Sequence, residues 1–193
     1  MKKTVLFLLM ASGFAMLGTQ ASIAGNRPGA VTLTPEIDYY MFAQKRNLDN
    51  VAVLPAVRLA YNFDERWAIE AGYGHMHTRY NSSSNLTGSV YGNLYTVDGL
   101  YRFGKYQMLE PYVSAGAGVL YLNHNANSAN NQANINVGLG TQLFLDDSVA
   151  LRGEVRDLYM TANGRNDVML SLGVSFLMGG ETPHPSYKGE DFK

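Results

Sequence analysis

From residue 31 to residue 178 the chain falls into eight stretches whose apolar side chains recur at every second position. No stretch with a useful 3.6-residue period competes with them. The stretch V-A-L-R-G-E-V-R-D-L-Y (149–159) poses the question sharply. Val149, Leu151, Val155 and Tyr159 share one face, and Arg152, Glu154 and Arg156 share the other. In a water-soluble sheet the charges face solvent and the apolar face covers a core. The inverse places the apolar face against lipid and the charges inside.

The remaining stretches favour the inverse. In 31–42, Val31, Leu33, Ile37, Tyr39 and Met41 oppose Thr32, Thr34, Glu36 and Asp38. In 51–63, Val51, Val53, Val57, Leu59, Tyr61 and Phe63 oppose a face of small residues with Arg58. In 67–79, Trp67, Ile69, Ala71 and Tyr73 oppose Glu70, Gly72 and Gly74; in 91–103, Tyr95, Val97, Tyr101 and Phe103 oppose Asp98 and Arg102. Stretches 111–122, 134–145 and 168–178 set apolar residues against Ser, Asn, Gln and Gly. Charges thus share a face with glycine and serine, while aromatics cluster near stretch ends on the apolar face. A tilted strand crosses a bilayer in about 9–11 residues, so each stretch is long enough to span. Short connections (64–66, 104–110, 146–147) alternate with longer polar ones (43–50, 81–89, 123–133, 161–166). These features predict an all-β fold, an eight-stranded antiparallel up-and-down transmembrane β-barrel with short periplasmic turns and longer extracellular loops.

Lys2 and Lys3 precede an apolar run (5–18) and the small-residue site A-S-I-A (21–24), which reads as a signal peptide over 1–24. The barrel is expected over 25–178, with 179–193 as a flexible periplasmic tail and both mature termini periplasmic. The chain has no cysteine, so neither disulfides nor thiolate metal sites are expected. A net charge of −1 without a basic stripe gives no support to nucleic-acid binding. A soluble barrel around an apolar ligand would need the opposite facing of charges and aromatics.

Four stretches carry a family resemblance. M-L-S-L-G-V-S-F (169–176), W-A-I-E-A-G-Y (67–73), P-Y-V-S-A-G-A-G-V (111–119) and A-L-R-G-E-V-R (150–156) resemble strands of the outer membrane protein A family. The resemblance covers most of 30–178 and implies a barrel of the bacterial outer membrane. S-L-G-V-S-F-L-M (171–178) resembles the signal read by the barrel-assembly machinery, through Ser171, Gly173, Phe176 and Met178. Family members carry a gate in which a third-strand Glu pairs with a seventh-strand Arg or a fourth-strand Lys. Glu70 and Arg152 match the first pair; Asp98 stands at the Lys position, and Gln142 where a sixth-strand Glu would fall. The resemblance covers the barrel alone, so wall tethering by a peptidoglycan-binding domain is not expected.

Nine charged residues are expected inside the barrel: Glu36, Asp38, Glu70, Asp98 and Glu154 with Arg58, Arg102, Arg152 and Arg156. Unpaired buried charge is expensive, so this near-balanced set predicts an ion-pair network filling the lumen. Envelope integrity is the leading functional expectation. A narrow gated pore through Glu70 and Arg152 is one alternative, and a surface adhesin or receptor binding an unidentified ligand through N-S-S-S-N-L-T-G (81–88) and N-H-N-A-N-S-A-N-N-Q (123–132) is another. A lipid A-modifying enzyme would need a base beside a nucleophile. His75, His77, Ser82–Ser84, His124 and Ser128 form no such signature, so no catalytic residue, cofactor or metal site is expected. The expected partners are outer-membrane lipids, lipopolysaccharide and the assembly machinery, around a monomer. Asp157 falls on the lipid-facing set and is expected at the upper interface beside Tyr159, because a midplane charge there costs free energy.

Overall fold

The computed structural model describes residues 25–42, 51–79, 89–124, 128–162 and 164–181. These form eight strands: β1 (Ala30–Met41), β2 (Val51–Asn62), β3 (Trp67–Arg79), β4 (Ser89–Arg102), β5 (Leu109–His124), β6 (Ser128–Phe144), β7 (Val149–Met160) and β8 (Arg165–Gly179). Each pairs antiparallel with its neighbour in sequence, and β1 pairs with β8 to close the barrel. Closure is what lipid demands, since an open sheet edge would leave unsatisfied backbone groups in hydrocarbon. The expected faces hold throughout. Leu59, Ile69, Val97, Leu139 and Leu172 lie exposed outside, while all nine predicted charges are buried inside.

Aromatic residues mark both rims. Trp67 packs on Tyr101 with ring centroids 4.8 Å apart, and Tyr101 on Phe103 at 5.6 Å, at the short-turn end. Tyr73, Tyr95 and Tyr121 form a chain of contacts toward the long-loop end, at 5.2 and 5.8 Å. Asp157 lies on the outer face near the β7–β8 hairpin, where it accepts a hydrogen bond from Asn166 Nδ2 at 3.0 Å. Asn166 is the strand partner of Tyr159, so the carboxylate sits toward the rim as expected.

Two short turns repeat one device. Asp64 Oδ1 accepts the amides of Arg66 and Trp67, each at 2.6 Å, between β2 and β3. Asp146 Oδ1 accepts those of Ser148 and Val149, at 2.7 and 2.8 Å, between β6 and β7. Such Asp-headed turns satisfy backbone donors that the tight bend would orphan. The two amides, Trp67 first, hold the Asp64 carboxyl below its ordinary value. Its contribution to the turn is therefore present above the ordinary carboxylate pKa and lost as pH falls through the lowered one. Amide exchange at Trp67 should accelerate on acidification in the wild type and stay fast and pH-independent, after correction for intrinsic exchange, in Asp64→Ala.

Prolines interrupt the ladders where their missing N–H would have bonded. The β1–β8 pairing lapses at Thr34 and Pro35, and the β2–β3 pairing at Leu54 and Pro55. Beside the first gap, Gly173 pairs with Glu36. A Cβ there would come within 2.7 Å of Glu36 Cβ and 2.8 Å of the Pro35 carbonyl. Ser171 and Gly173 face the lumen, and Phe176 and Met178 face lipid. Gly173 thus has a packing reason at the barrel seam, independent of any recognition role. Gly173→Ala should destabilise the folded barrel by about 1–3 kcal/mol through overpacking, read from urea unfolding in vesicles.

The strands outrun several sequence-based bounds. The predicted loop over 123–133 is largely hairpin, since β5 and β6 pair out to His124 and Ser128. β8 starts at Arg165 rather than 168, β5 at Leu109 rather than 111, and β8 continues through Gly179. The proposed signal peptide 1–24, the loops 43–50 and 81–88, Tyr80, His184 with most of the tail, and the side chains of His124 and Ser128 lie outside the described residues.

Candidate functional site

Strand parity puts the charged residues inside; the stagger between strands decides which of them meet. Arg58 on β2 and Arg152 on β7 both reach Glu70 on β3. Arg152 Nη2 lies 2.9 Å from Glu70 Oε1, with a second contact from Nη1 to Oε2, and Arg58 Nη1 lies 3.3 Å from Oε1. Arg152 Nη2 also donates to Glu154 Oε2 at 2.7 Å. Glu154 Oε1 accepts from Arg156 at 2.7 Å, and Arg156 Nη1 donates to Asp98 Oδ2 at 2.5 Å. Asp98 returns to Arg58 at 4.0 Å. The result is a closed ring of alternating sign, Arg58–Glu70–Arg152–Glu154–Arg156–Asp98, with Glu36 bonded to Arg58 from β1.

Tyr112 and Ser114 on β5 complete it. Tyr112 OH donates to Glu154 Oε2 and accepts from Arg152 Nε, both at 2.7 Å, and the Arg152 guanidinium stands 4.9 Å from the Tyr112 ring centre. Ser114 Oγ donates to Glu154 Oε1 at 3.0 Å. Gly138 and Gly140 on β6 make room, because a Cβ would strike the Glu154 carboxylate at the first and the Tyr112 ring at the second. Charge-assisted, multiply bonded pairs of this kind offset the desolvation that makes buried ions costly.

Two predicted members stand apart from the ring. Arg102 lies lower, donating to Asn62 Oδ1 at 2.8 Å and lying 3.8 Å from Glu110. Asp38 sits opposite Ser171 on the β1–β8 seam, and its Oδ1 has no hydrogen-bond partner among the described residues. Gln142, at the predicted sixth-strand position, accepts from Asn26 Nδ2 at 2.7 Å. The near-balance of charge needs correction. Glu110 and Asp167 are also buried, so seven acids accompany four arginines among the described lumen residues. Glu110 lies at a strand start read as a connection in the sequence, and Asp167 between the connection read over 161–166 and the strand read from 168. Asn26 bonds Glu110, and Tyr40 OH donates to Asp167 Oδ2 at 2.8 Å.

A second seal lies above the ring, and the sequence reading did not foresee it. Toward the long-loop end the lumen holds one buried apolar cluster that includes Tyr40, Phe42, Leu54, Met76, Leu94, Leu120, Leu122, Leu158, Met160 and Met169, bordered by the buried polar residues Thr78, Gln132, Asn134, Asn136 and Asp167. A small apolar group of Phe144, Ala150 and Leu177 lies at the opposite end. The void beside Glu36, Asp38, Arg58 and Thr96 measures about 10 Å³, near the minimum for one water. His75 and His77 face outward, away from all these groups. Among the described residues no three His, Asp or Glu side chains are grouped to hold a metal.

A closed eight-stranded barrel with an apolar, aromatic-rimmed exterior and an ionic lumen defines a bacterial outer-membrane β-barrel protein. The comparison with known proteins narrows this class. Residues 8–182 match the model of the OprF membrane domain, and the chain belongs to that family, whose barrel is of the outer membrane protein A type. Outer membrane porin F of Pseudomonas aeruginosa is 26% identical over 155 residues, 76% of this chain and 44% of that protein. The chain thus spans less than half the length of that relative. The N-terminal β-barrel domain of Pseudomonas aeruginosa OprF has a similar fold, with TM-score 0.59 at 23% identity, covering 79% of this chain and all of that one. Ail, the attachment invasion locus protein of Yersinia pestis, also has TM-score 0.59, at 13% identity, covering 78% and 99% of the two chains.

Proposed function

We propose that the protein is a closed wall element of the outer membrane that contributes to envelope integrity, its lumen largely filled by side chains. The observation that carries this reading is the pair of seals in series, the ionic ring beneath the apolar cap. An eight-stranded barrel has an interior just wide enough for side chains to fill, and here both chemistries fill it. Residues 1–24 would direct export and be removed, leaving a monomeric barrel with both termini periplasmic and a tail from 179. Barrel-assembly machinery would insert it by reading the last strand, and phospholipid and lipopolysaccharide would surround it. No catalytic or cofactor role is proposed. The test is removal of the gene from its host. Loss of resistance to detergent and osmotic shock, restored by the wild-type chain, is expected; unchanged resistance would overturn the integrity role.

A second reading, a narrow gated pore, draws on one specific geometry. Glu70 is within reach of two guanidiniums, Arg152 at 2.9 Å and Arg58 at 3.3 Å. A swap of Glu70 between them is the equivalent of the gate that the family's Lys would make, with Arg58 replacing the Lys. Such a gate would open only if the cap above it also parted. The adhesin reading rests on loop residues and finds no support in the described part of the chain.

A further inference from the structure

The outer wall is not uniformly apolar near the long-loop end. On β3 to β6 the strand registers bring a block of neutral hydrogen-bonding side chains onto the lipid-facing surface. His75 pairs with Asn93, Asn93 with Tyr121, and Tyr121 with Asn131; one step higher, His77 pairs with Tyr91, and Tyr91 with Asn123. All face outward and none is buried. At the corresponding end of β1 and β2 the outward residues are Tyr39, Met41, Val51 and Val53, and on β7 and β8 the outward Asp157 and Asn166 bond to each other. The polar block is therefore one-sided, unlike a simple aromatic girdle.

Its internal bonding leaves defined groups for a ligand. Asn93 Oδ1 accepts from Tyr73 OH at 3.1 Å and from His75 Nδ1 at 2.8 Å. That assignment puts a proton on His75 Nδ1 and leaves its Nε2 and the Asn93 amide hydrogens to bond an outside partner. Tyr91 stacks on His77 with centroids 4.7 Å apart, and Tyr95 meets Tyr121 edge-on at 5.8 Å. Between them a groove of about 390 Å³ runs along Asn93, Tyr95, Val119 and Tyr121. Aromatic faces interleaved with amide, imidazole and hydroxyl groups, and without a formal charge in the block, suit the alternating C–H and O–H surface of a sugar ring.

Height along the wall selects the source of that sugar. His77 is ten residues from Trp67 of the lower girdle on the same strand. At about 3.3 Å per residue and a tilt near 40°, that is about 25 Å for His77 and about 20 Å for His75 two residues lower, the upper edge of an apolar band about 25 Å tall. The block therefore lies at the outer-leaflet interface and faces sideways into the lipid. A water-borne glycan would have to enter the lipid layer to reach it, whereas a glycolipid of the same leaflet presents its saccharide there. We propose that the His75–Asn93–Tyr121 face is a binding site for the saccharide headgroup of an outer-leaflet glycolipid, its acyl chains running down the wall past Val97 and Ile135.

The probe is lipopolysaccharide in nanodiscs holding the full folded barrel, with histidine-ring NMR signals assigned by single His75→Leu and His77→Phe variants. Signals of His75 and His77 should move in lipopolysaccharide discs and stay fixed in phospholipid discs. Loss of two hydrogen bonds in His75→Leu with Asn93→Leu should lower lipopolysaccharide retained through detergent washing at least about fivefold. Heat-modifiable gel mobility verifies that the variant is folded; Tyr95→Phe with Asn93→Leu is the alternative if it is not. Unchanged retention in a folded variant would overturn the site, as would equal shifts in phospholipid discs. Equal shifts from lipid-free core oligosaccharide added to phospholipid discs would overturn the membrane-anchored source.

Discussion

Glu70→Ala is expected to destabilise the barrel by about 3–5 kcal/mol, the cost of breaking a buried charge pair from one side. Glu70 is 1% exposed and is held by both Arg152 and Arg58. Its removal leaves two buried guanidiniums facing each other across the lumen. Arg58 keeps Glu36, and Arg152 keeps Glu154 and Tyr112, so the ring breaks at one link rather than dispersing. Glu70→Gln retains an acceptor and should cost less than the alanine. Arg152→Ala should also destabilise, because Glu154 and Glu70 both lose a donor. The double variant should fall short of the sum by about 0.5–3 kcal/mol, the coupling expected of residues in one network. Urea unfolding in lipid vesicles, followed by the emission of Trp67, measures all four. Additive losses would show that the two residues do not act as a pair.

Truncating the apolar cap gives the second large effect, with a different signature. Leu94 and Leu120 are strand partners on β4 and β5, 3% and 0% exposed. Leu94→Ala and Leu120→Ala should each cost about 2–5 kcal/mol, through lost burial and the cavity left behind. Neither should open a path, because the ionic ring still crosses the lumen beneath. Glu70→Gln alone should likewise stay closed, because the cap still lies above. Only a folded variant combining Glu70→Gln with both leucine truncations should admit ions. Conductance from a cap variant alone would show that the ring is no seal.

Much of this was legible from alternation, because a barrel in lipid turns sequence parity directly into inside and outside. Asp157, the one charge on the lipid-facing set of its strand, already required a place near the rim, and it bonds to Asn166 there. Parity carries no height, however. The distance of Arg58 from Glu70, or of Arg102 from the ring, depends on the stagger between strands, which no single strand encodes. Glu110 and Asp167 were hidden for a local reason: each stands where proline or turn-forming residues make a strand start look like a connection.

The cap was obscured by its own composition. In V-L-P (53–55), G-V-L-Y-L (118–122), L-Y-M (158–160) and V-M-L (168–170), both faces are apolar and alternation fades. Those segments cluster at the long-loop ends of β2, β5, β7 and β8, and loss of contrast there is itself the signal for an apolar cluster in the upper lumen, which β6 borders with Gln132, Asn134 and Asn136. Tyr112 was missed differently. Its ring reads as an inward aromatic, but its hydroxyl joins Arg152 to Glu154.

The central claim is that two seals in series close this lumen. Planar-bilayer recording of the refolded wild-type barrel, with folding verified by heat-modifiable mobility, tests it most directly. The closed structure predicts a trace indistinguishable from lipid alone. Discrete, reproducible openings carried by the wild-type chain would contradict it.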